Sequence, residues 1–151
     1  MKKIIFFFGK VATLITVLTF GACDKKSGQD VETLTLTEKM LIGDWSRIKI
    51  EVKLPDQDWK DDTGGCSLGA TEKFNANRSW HLVTPGCSAG GEIQRGSWTY
   101  MPETDRLLLN VNGIEGTLVR TITEVNKEGL VLTHEAGTLD GRIIRTYYGR
   151  Q

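Results

Sequence analysis

From Asp44 onward, apolar and polar residues alternate in short runs, and turn-forming residues separate the runs. In Asp44–Leu54, Ile48, Ile50 and Val52 fall on one face, and Arg47, Lys49, Glu51 and Lys53 on the other. A period of two marks a strand with one face in a core and one in water. Further runs rich in β-branched and aromatic residues follow at Ala70–Phe74, Ser79–Val83, Glu92–Tyr100, Arg106–Val111, Gly116–Val125, Leu130–His134 and Arg142–Tyr148. Between them, Asn75-Ala76-Asn77, Pro102-Glu103-Thr104-Asp105, Asn112-Gly113, Asn126-Lys127-Glu128-Gly129 and Asp140-Gly141 are short hairpin connections. Leu54–Gly69 is the one long connection. A different pattern precedes the strands. Thr35-Leu36-Thr37-Glu38 has capping-box spacing, and Met40, Leu41 and Ile42 follow before Gly43. This predicts one short helix over Leu36–Ile42.

Eight consecutive strands joined by tight turns form a meander, and each strand is too amphipathic to be buried on both faces. Closing the sheet on itself hides one face and removes both edges. The predicted fold is therefore all-β: an eight-stranded antiparallel up-and-down barrel with one short N-terminal helix. A two-sheet sandwich is the alternative, but its Greek-key connections need long crossovers and only one long loop is available.

Before the helix the chain changes character. Lys2 and Lys3 are followed by apolar Ile4–Phe8 and Val11–Phe20, broken only by Gly9 and Lys10. Such a run is too short and too interrupted for a lasting membrane span and reads as an export signal. Ordinary cleavage wants small residues at both −3 and −1, and Phe20 is large. Phe20-Gly21-Ala22-Cys23 instead fits the lipoprotein signal: an apolar residue, two small residues, then the cysteine that takes the lipid. Ordinary secretion with an unmodified Cys23 is the rival. Residues 1–22 are thus a signal peptide, 23–34 a lipidated Cys23 with a polar, flexible tether, and 35–151 the folded domain. The expected location is the cell envelope at the outer membrane, with the membrane as partner through the lipid. Several acyl chains, at roughly 0.8 kcal/mol per buried CH₂, make a stable anchor.

Export also bears on the other cysteines. Cys66 and Cys87 would meet an oxidising compartment, where a leftover pair is normally a disulfide. The bond would close a loop of about 20 residues and contribute roughly 3 kcal/mol on the chain-entropy model. Zinc is the competing reading; it needs four ligands, and only His81 and His134 could be added.

Charge and motifs narrow the function. Of 19 basic and 19 acidic residues, Lys2, Lys3 and Lys10 precede Cys23 and no acid does, so the exported part carries a formal −3. That balance gives no basic face for nucleic acid. His-Glu-x-x-His, Gly-x-Ser-x-Gly and Walker sequences are absent. Ser79 and His81 share a strand face, but no acid is placed to orient the base. Asp56, Asp58, Asp61 and Asp62 fail the EF-hand pattern, because Lys60 and Ser67 occupy ligand positions. The chain reads as a non-enzyme with no metal and no cofactor.

Several stretches carry a resemblance to a known family: Leu41-Ile42-Gly43-Asp44-Trp45, Thr71-Glu72-Lys73-Phe74-Asn75, Gly96-Ser97-Trp98-Thr99-Tyr100 and Tyr147-Tyr148-Gly149-Arg150. A short helix leading into Gly-x-Trp looks like the opening of a lipocalin. The chain resembles the small lipocalin-like lipoproteins of Bacteroidetes-type bacteria over about Glu38–Arg150. The cysteines in two neighbouring connections fit that family too. The resemblance implies an eight-stranded barrel and no particular ligand. It also implies that a late basic residue packs over the first tryptophan, a structural role that falls to Arg145, or else Arg142, over Trp45. Trp45 and Trp98 are then a packed barrel end, and Trp59, Trp80 and Tyr100 are the ligand-binding candidates.

The expected function is a membrane-anchored, non-enzymatic binding module for a small apolar ligand. With four aspartates in its loop, the mouth would admit a neutral or cationic molecule beneath Trp59. The alternative is an envelope protein-interaction module, such as a protease inhibitor, that uses the loops of a filled barrel. Two outcomes test the cysteine assignments. Cys23→Ala should release the protein from membranes and abolish labelling by a fatty-acid precursor; label that persists contradicts acylation at Cys23. Cys66 and Cys87 should resist alkylation until reductant is added, and loss of either should cost about 2–4 kcal/mol of stability.

Overall fold

A computed structural model describes residues 33–64, 68–85, 92–137 and 140–151. The residues expected to form the signal (1–22), those of the expected tether up to 32, Cys66 and Cys87 lie outside these described residues. The helix α1 spans Leu36–Leu41 and is followed by β1 (Gly43–Lys53), β2 (Lys60–Asp61), β3 (Thr71–Phe74), β4 (Ser79–Thr84), β5 (Glu92–Met101), β6 (Arg106–Val111), β7 (Thr117–Val125), β8 (Gly129–Glu135) and β9 (Ile143–Arg150). The capping box forms as its residues dictate. Glu38 N–H donates to the Thr35 hydroxyl at 3.2 Å, and Thr35 N–H donates to the Glu38 carboxylate at 2.7 Å.

The strands pair antiparallel in the order β1-β3-β4-β5-β6-β7-β8-β9, and β9 returns to pair with β1. The result is a closed eight-stranded barrel. β2 lies outside the predicted set. It is a two-residue strand within the long connection and pairs with Glu51 and Val52, beyond the stretch of β1 that β3 covers. Alternation places one face of each strand inside. The inward row includes Trp45, Phe74, Trp80, Trp98, Leu107, Leu109, Leu130, Leu132 and Tyr148, all nearly or fully buried. At one end α1 and the hairpins after β3, β5 and β7 gather; the hairpin after β6 lies at the other.

The alternation expected for β1 breaks partway. The β1–β9 register slips between Arg47 and Lys49, a β-bulge that adds one residue to β1. Ile48 is consequently turned out to solvent, while Arg47 sits opposite buried Tyr148 on the inward side, ahead of Ile50 and Val52. A period of two read from sequence cannot register a bulge, because one inserted residue swaps the faces on either side of it.

Gly96 marks the tightest approach in the wall. It lies on β5 opposite Trp80 of β4 and Val111 of β6, and a Cβ there would stand 1.8 Å from the Asn110 carbonyl oxygen. Backbone cannot step aside as a flexible side chain can. Gly96→Ala should therefore cost about 2–4 kcal/mol in urea unfolding, as overpacking against main chain does. Gly64→Ala, where the nearest atom is 4.0 Å away, should be close to neutral.

Candidate functional site in the barrel interior

The helix-side end of the barrel is sealed by two tryptophans held in the same manner. The Trp45 indole N–H donates to the Leu41 carbonyl at 2.7 Å, using an oxygen that the end of α1 leaves open. The Arg150 guanidinium lies over the Trp45 ring at 4.9 Å and donates to the Ile42 carbonyl. Gly43 permits this. Its φ of +146° is outside the range of L side chains, and a Cβ would fall 2.7 Å from Arg150 Nη2. The Trp98 indole N–H donates to the Asn75 carbonyl at 3.0 Å, and Arg78 covers that ring at 4.6 Å. Phe74 meets Trp98 edge to face, with 5.9 Å between centroids. Arg78 also pairs with Glu38. Burial alone would raise the Glu38 carboxyl, but Arg78 and the Thr35 donors outweigh it and hold it below the usual carboxylate range.

The middle of the barrel is of another kind. Glu72 on β3 is fully buried, and its Oε1 accepts from Arg120 Nη1 of β7 at 2.6 Å. The same nitrogen reaches the Tyr148 hydroxyl at 3.4 Å. Burial works against the charge on Arg120, and Glu72 with Tyr148 restores it, so the guanidinium stays protonated. Burial first and Glu72 second raise the Tyr148 phenol far above its ordinary range. Arg47 approaches the Tyr148 ring at 6.0 Å. His134 on β8 belongs to the same electrostatic neighbourhood. Burial pushes it down to about 4, with Arg120 and Arg47 adding to the effect and Glu72 opposing it.

Not all the hydrogen-bonding capacity in this cluster is used. Glu72 Oε2, Arg120 Nε, Trp80 Nε1 and His134 Nδ1 are buried and have no hydrogen-bond partner among the described residues. Each such group costs about 1–3 kcal/mol if nothing completes it, and more when charged. Beside them the wall is parted. The β7–β8 ladder runs only from Thr121–Thr133 to Val125–Leu130, so Thr117–Arg120 of β7 lie beyond it. A cleft of about 460 Å³ occupies this seam. Leu118 and His134, which face inward, line it together with outward-facing Val119, Thr121, Thr133 and Glu135, so the cleft is a groove in the outer wall that reaches two inward-facing side chains.

The residues singled out from sequence are dispersed. Trp80 and Tyr100 are both inside and buried, Trp80 beside Glu72 and Tyr100 at the helix end, where its hydroxyl donates to Asp105 at 2.7 Å. Trp59 is not with them. It lies next to β2 on the outer wall, with the Arg145 guanidinium 3.8 Å over its ring. Arg145 pairs with Glu51 at 3.6 Å, and Glu51 accepts from Lys49 and the Tyr147 hydroxyl. This corrects the role expected of Arg145: the arginine over Trp45 is Arg150, because odd-numbered residues of β9 up to Tyr147 point outward, whereas Arg150 reaches back over the barrel end from the last strand position. Sequence reasoning missed Glu72, Arg120, Tyr148 and His134. A signal was present in the alternation, since Arg120 shares a face with Leu118 and Ile122, and Glu72 shares one with Phe74. A charged residue at a core-facing position calls for a partner.

His134 makes stability depend on pH. Its pKa falls from 6.5 in the unfolded chain to about 4 in the folded one, so the unfolded state binds more protons between those values. The contribution is fully present above pH 6.5 and is lost as pH falls toward 4. The full shift corresponds to about 3 kcal/mol; because the ring is only partly buried, solvent screening reduces this to about 1–2 kcal/mol. His134→Gln should flatten this part of the stability profile in denaturant titrations between pH 7 and 4.

No protein-family model and no curated protein matches this sequence. Solved structures do. A crystal structure of a lipocalin-like protein from Bacteroides uniformis superposes with a TM-score of 0.53 at 10% identity, covering 74% of this chain and 99% of the other. An uncharacterized protein from Bacteroides eggerthii superposes with a TM-score of 0.50, again at 10% identity and with the same coverage. At that identity the likeness speaks for architecture alone. The closed barrel, the short helix at its mouth and these superpositions agree: the chain has a lipocalin-like fold.

Proposed function

We propose that the protein is a non-enzymatic binding module of the bacterial cell envelope, tethered at the outer membrane through lipid on Cys23, and that it holds a small amphipathic molecule inside the barrel. The observation that carries this reading is the buried Glu72–Arg120 pair with unused hydrogen-bonding atoms, two residues along β7 from Leu118 in the lining of a cleft in the wall. Taking two charges out of water costs several kcal/mol each, and a well-packed apolar pair of similar volume is often as stable or more so. A barrel that needed only to be solid has no use for such a pair. A barrel that recognises a polar head group does. The charged interior adds to the apolar-bodied, neutral or cationic ligand expected from sequence a polar end that the pair would hold. The one sealed end supports the same reading, as does the lipocalin-like fold.

One observation favours the alternative, an envelope protein-interaction module. Val83 and Ile93 face each other across β4 and β5 on the outer surface, 43% and 57% exposed. Native mass spectrometry of the protein released gently from its own host decides between the two. An added mass of about 200–400 Da, the size such a cleft holds, supports the small-molecule reading. A chain that always carries only its own mass and co-purifies with a second protein contradicts it.

A further inference from the structure

We infer that Glu72, Arg120 and the Trp80 indole N–H together form the recognition site for the hydroxyl head of a neutral amphiphile, reached laterally through the β7–β8 seam rather than through the loop-side mouth. The inference rests on the reading of the barrel as a small-molecule binder and specifies the ligand's chemistry.

The unused atoms define what fits. Arg120 Nε–H and Trp80 Nε1–H are donors, and Glu72 Oε2 is an acceptor. Arg120 and Glu72 are bonded at 2.6 Å, and Trp80 is the diagonal neighbour of Glu72 on the same face of the β3–β4 pair. A hydroxyl donates one hydrogen bond and accepts two, so one such group can satisfy both kinds of atom at once. A carboxylate only accepts, and it would set a second negative oxygen against Glu72 Oε2. An ammonium only donates; it would leave both N–H groups unmet and add positive charge beside Arg120 and Arg47. The depressed pKa of His134 shows how poorly this interior tolerates another cation. The nearby cleft of about 460 Å³ has room for more than a single water. The route is short, because Leu118, which lines the cleft, is the inward-facing residue next to Arg120 on β7.

The test uses three probes that differ only in the head group: 1-octanol, octanoate and octylammonium. Calorimetric titration is made on the full chain carrying Cys23→Ala, which has no lipid of its own to compete. Octanol should bind tightest. Trp80→Phe keeps an aromatic ring but removes the donor, so it should weaken octanol about fivefold, the worth of one hydrogen bond, and leave octylammonium, which cannot accept one, unchanged. Leu118→Trp, filling the seam, should weaken all three. If octanoate or octylammonium binds tightest, or if Trp80→Phe leaves octanol unaffected, the hydroxyl site is wrong while the barrel remains a small-molecule binder. If none of the three binds at millimolar concentration, both readings fall.

Discussion

Two opposite charges are held out of water in the middle of this barrel, and much of the rest is arranged around them. The Glu72–Arg120 pair joins β3 to β7, strands that are not neighbours in the sheet, across the interior. Its presence divides the core. On the helix side the inward positions hold tryptophan, phenylalanine and leucine packed to zero exposure. Around the pair they hold Arg47, His134 and Tyr148, and burial, with the charges of the pair, keeps the last two neutral. The sealed end supplies apolar burial, the dominant favourable term in folding. That leaves the other half able to carry groups that a stability-driven core would not choose.

The sealed end works through repetition. Trp45 and Trp98 each stand two residues after a glycine, each give the indole N–H to a backbone carbonyl, and each lie under an arginine. A buried Trp needs a partner for that N–H, and a guanidinium gains by stacking on the ring face. Trp80 differs in this respect: its N–H has no partner among the described residues, and it is the diagonal neighbour of Glu72. Three chemically identical side chains are thus divided between two tasks by whether their polar atom is satisfied.

Much of the fold was legible in the sequence. The capping box at Thr35 and Glu38, the strand runs and the hairpin turns each rest on local rules that tertiary packing did not override, and the meander leads directly to closure. The bulge at Arg47–Lys49 was not legible, because it depends on how β1 pairs with β9 rather than on the composition of β1. The same limit explains Arg145 and Arg150. Both are late basic residues, and only the position of the strand end decides which can reach Trp45. The site was the least legible part. Trp59 drew attention as a lone aromatic in a polar loop, yet β2 lays it on the outer wall, where Arg145 covers it. Glu72 and Arg120 are 48 residues apart, and nothing local links them. Their inward placement could have been read from alternation, but their meeting follows only from the closed barrel.

The central claim is that the buried pair exists for recognition and not for stability. The double variant Glu72→Leu with Arg120→Met tests it most directly, because it removes both charges together and leaves neither stranded. On this account the double variant folds with a Tm at or above that of the parent, as apolar replacement of a buried ion pair allows, and no longer binds 1-octanol. A clear fall in Tm, with octanol binding retained by the folded fraction, would contradict it and return the pair to a purely structural role.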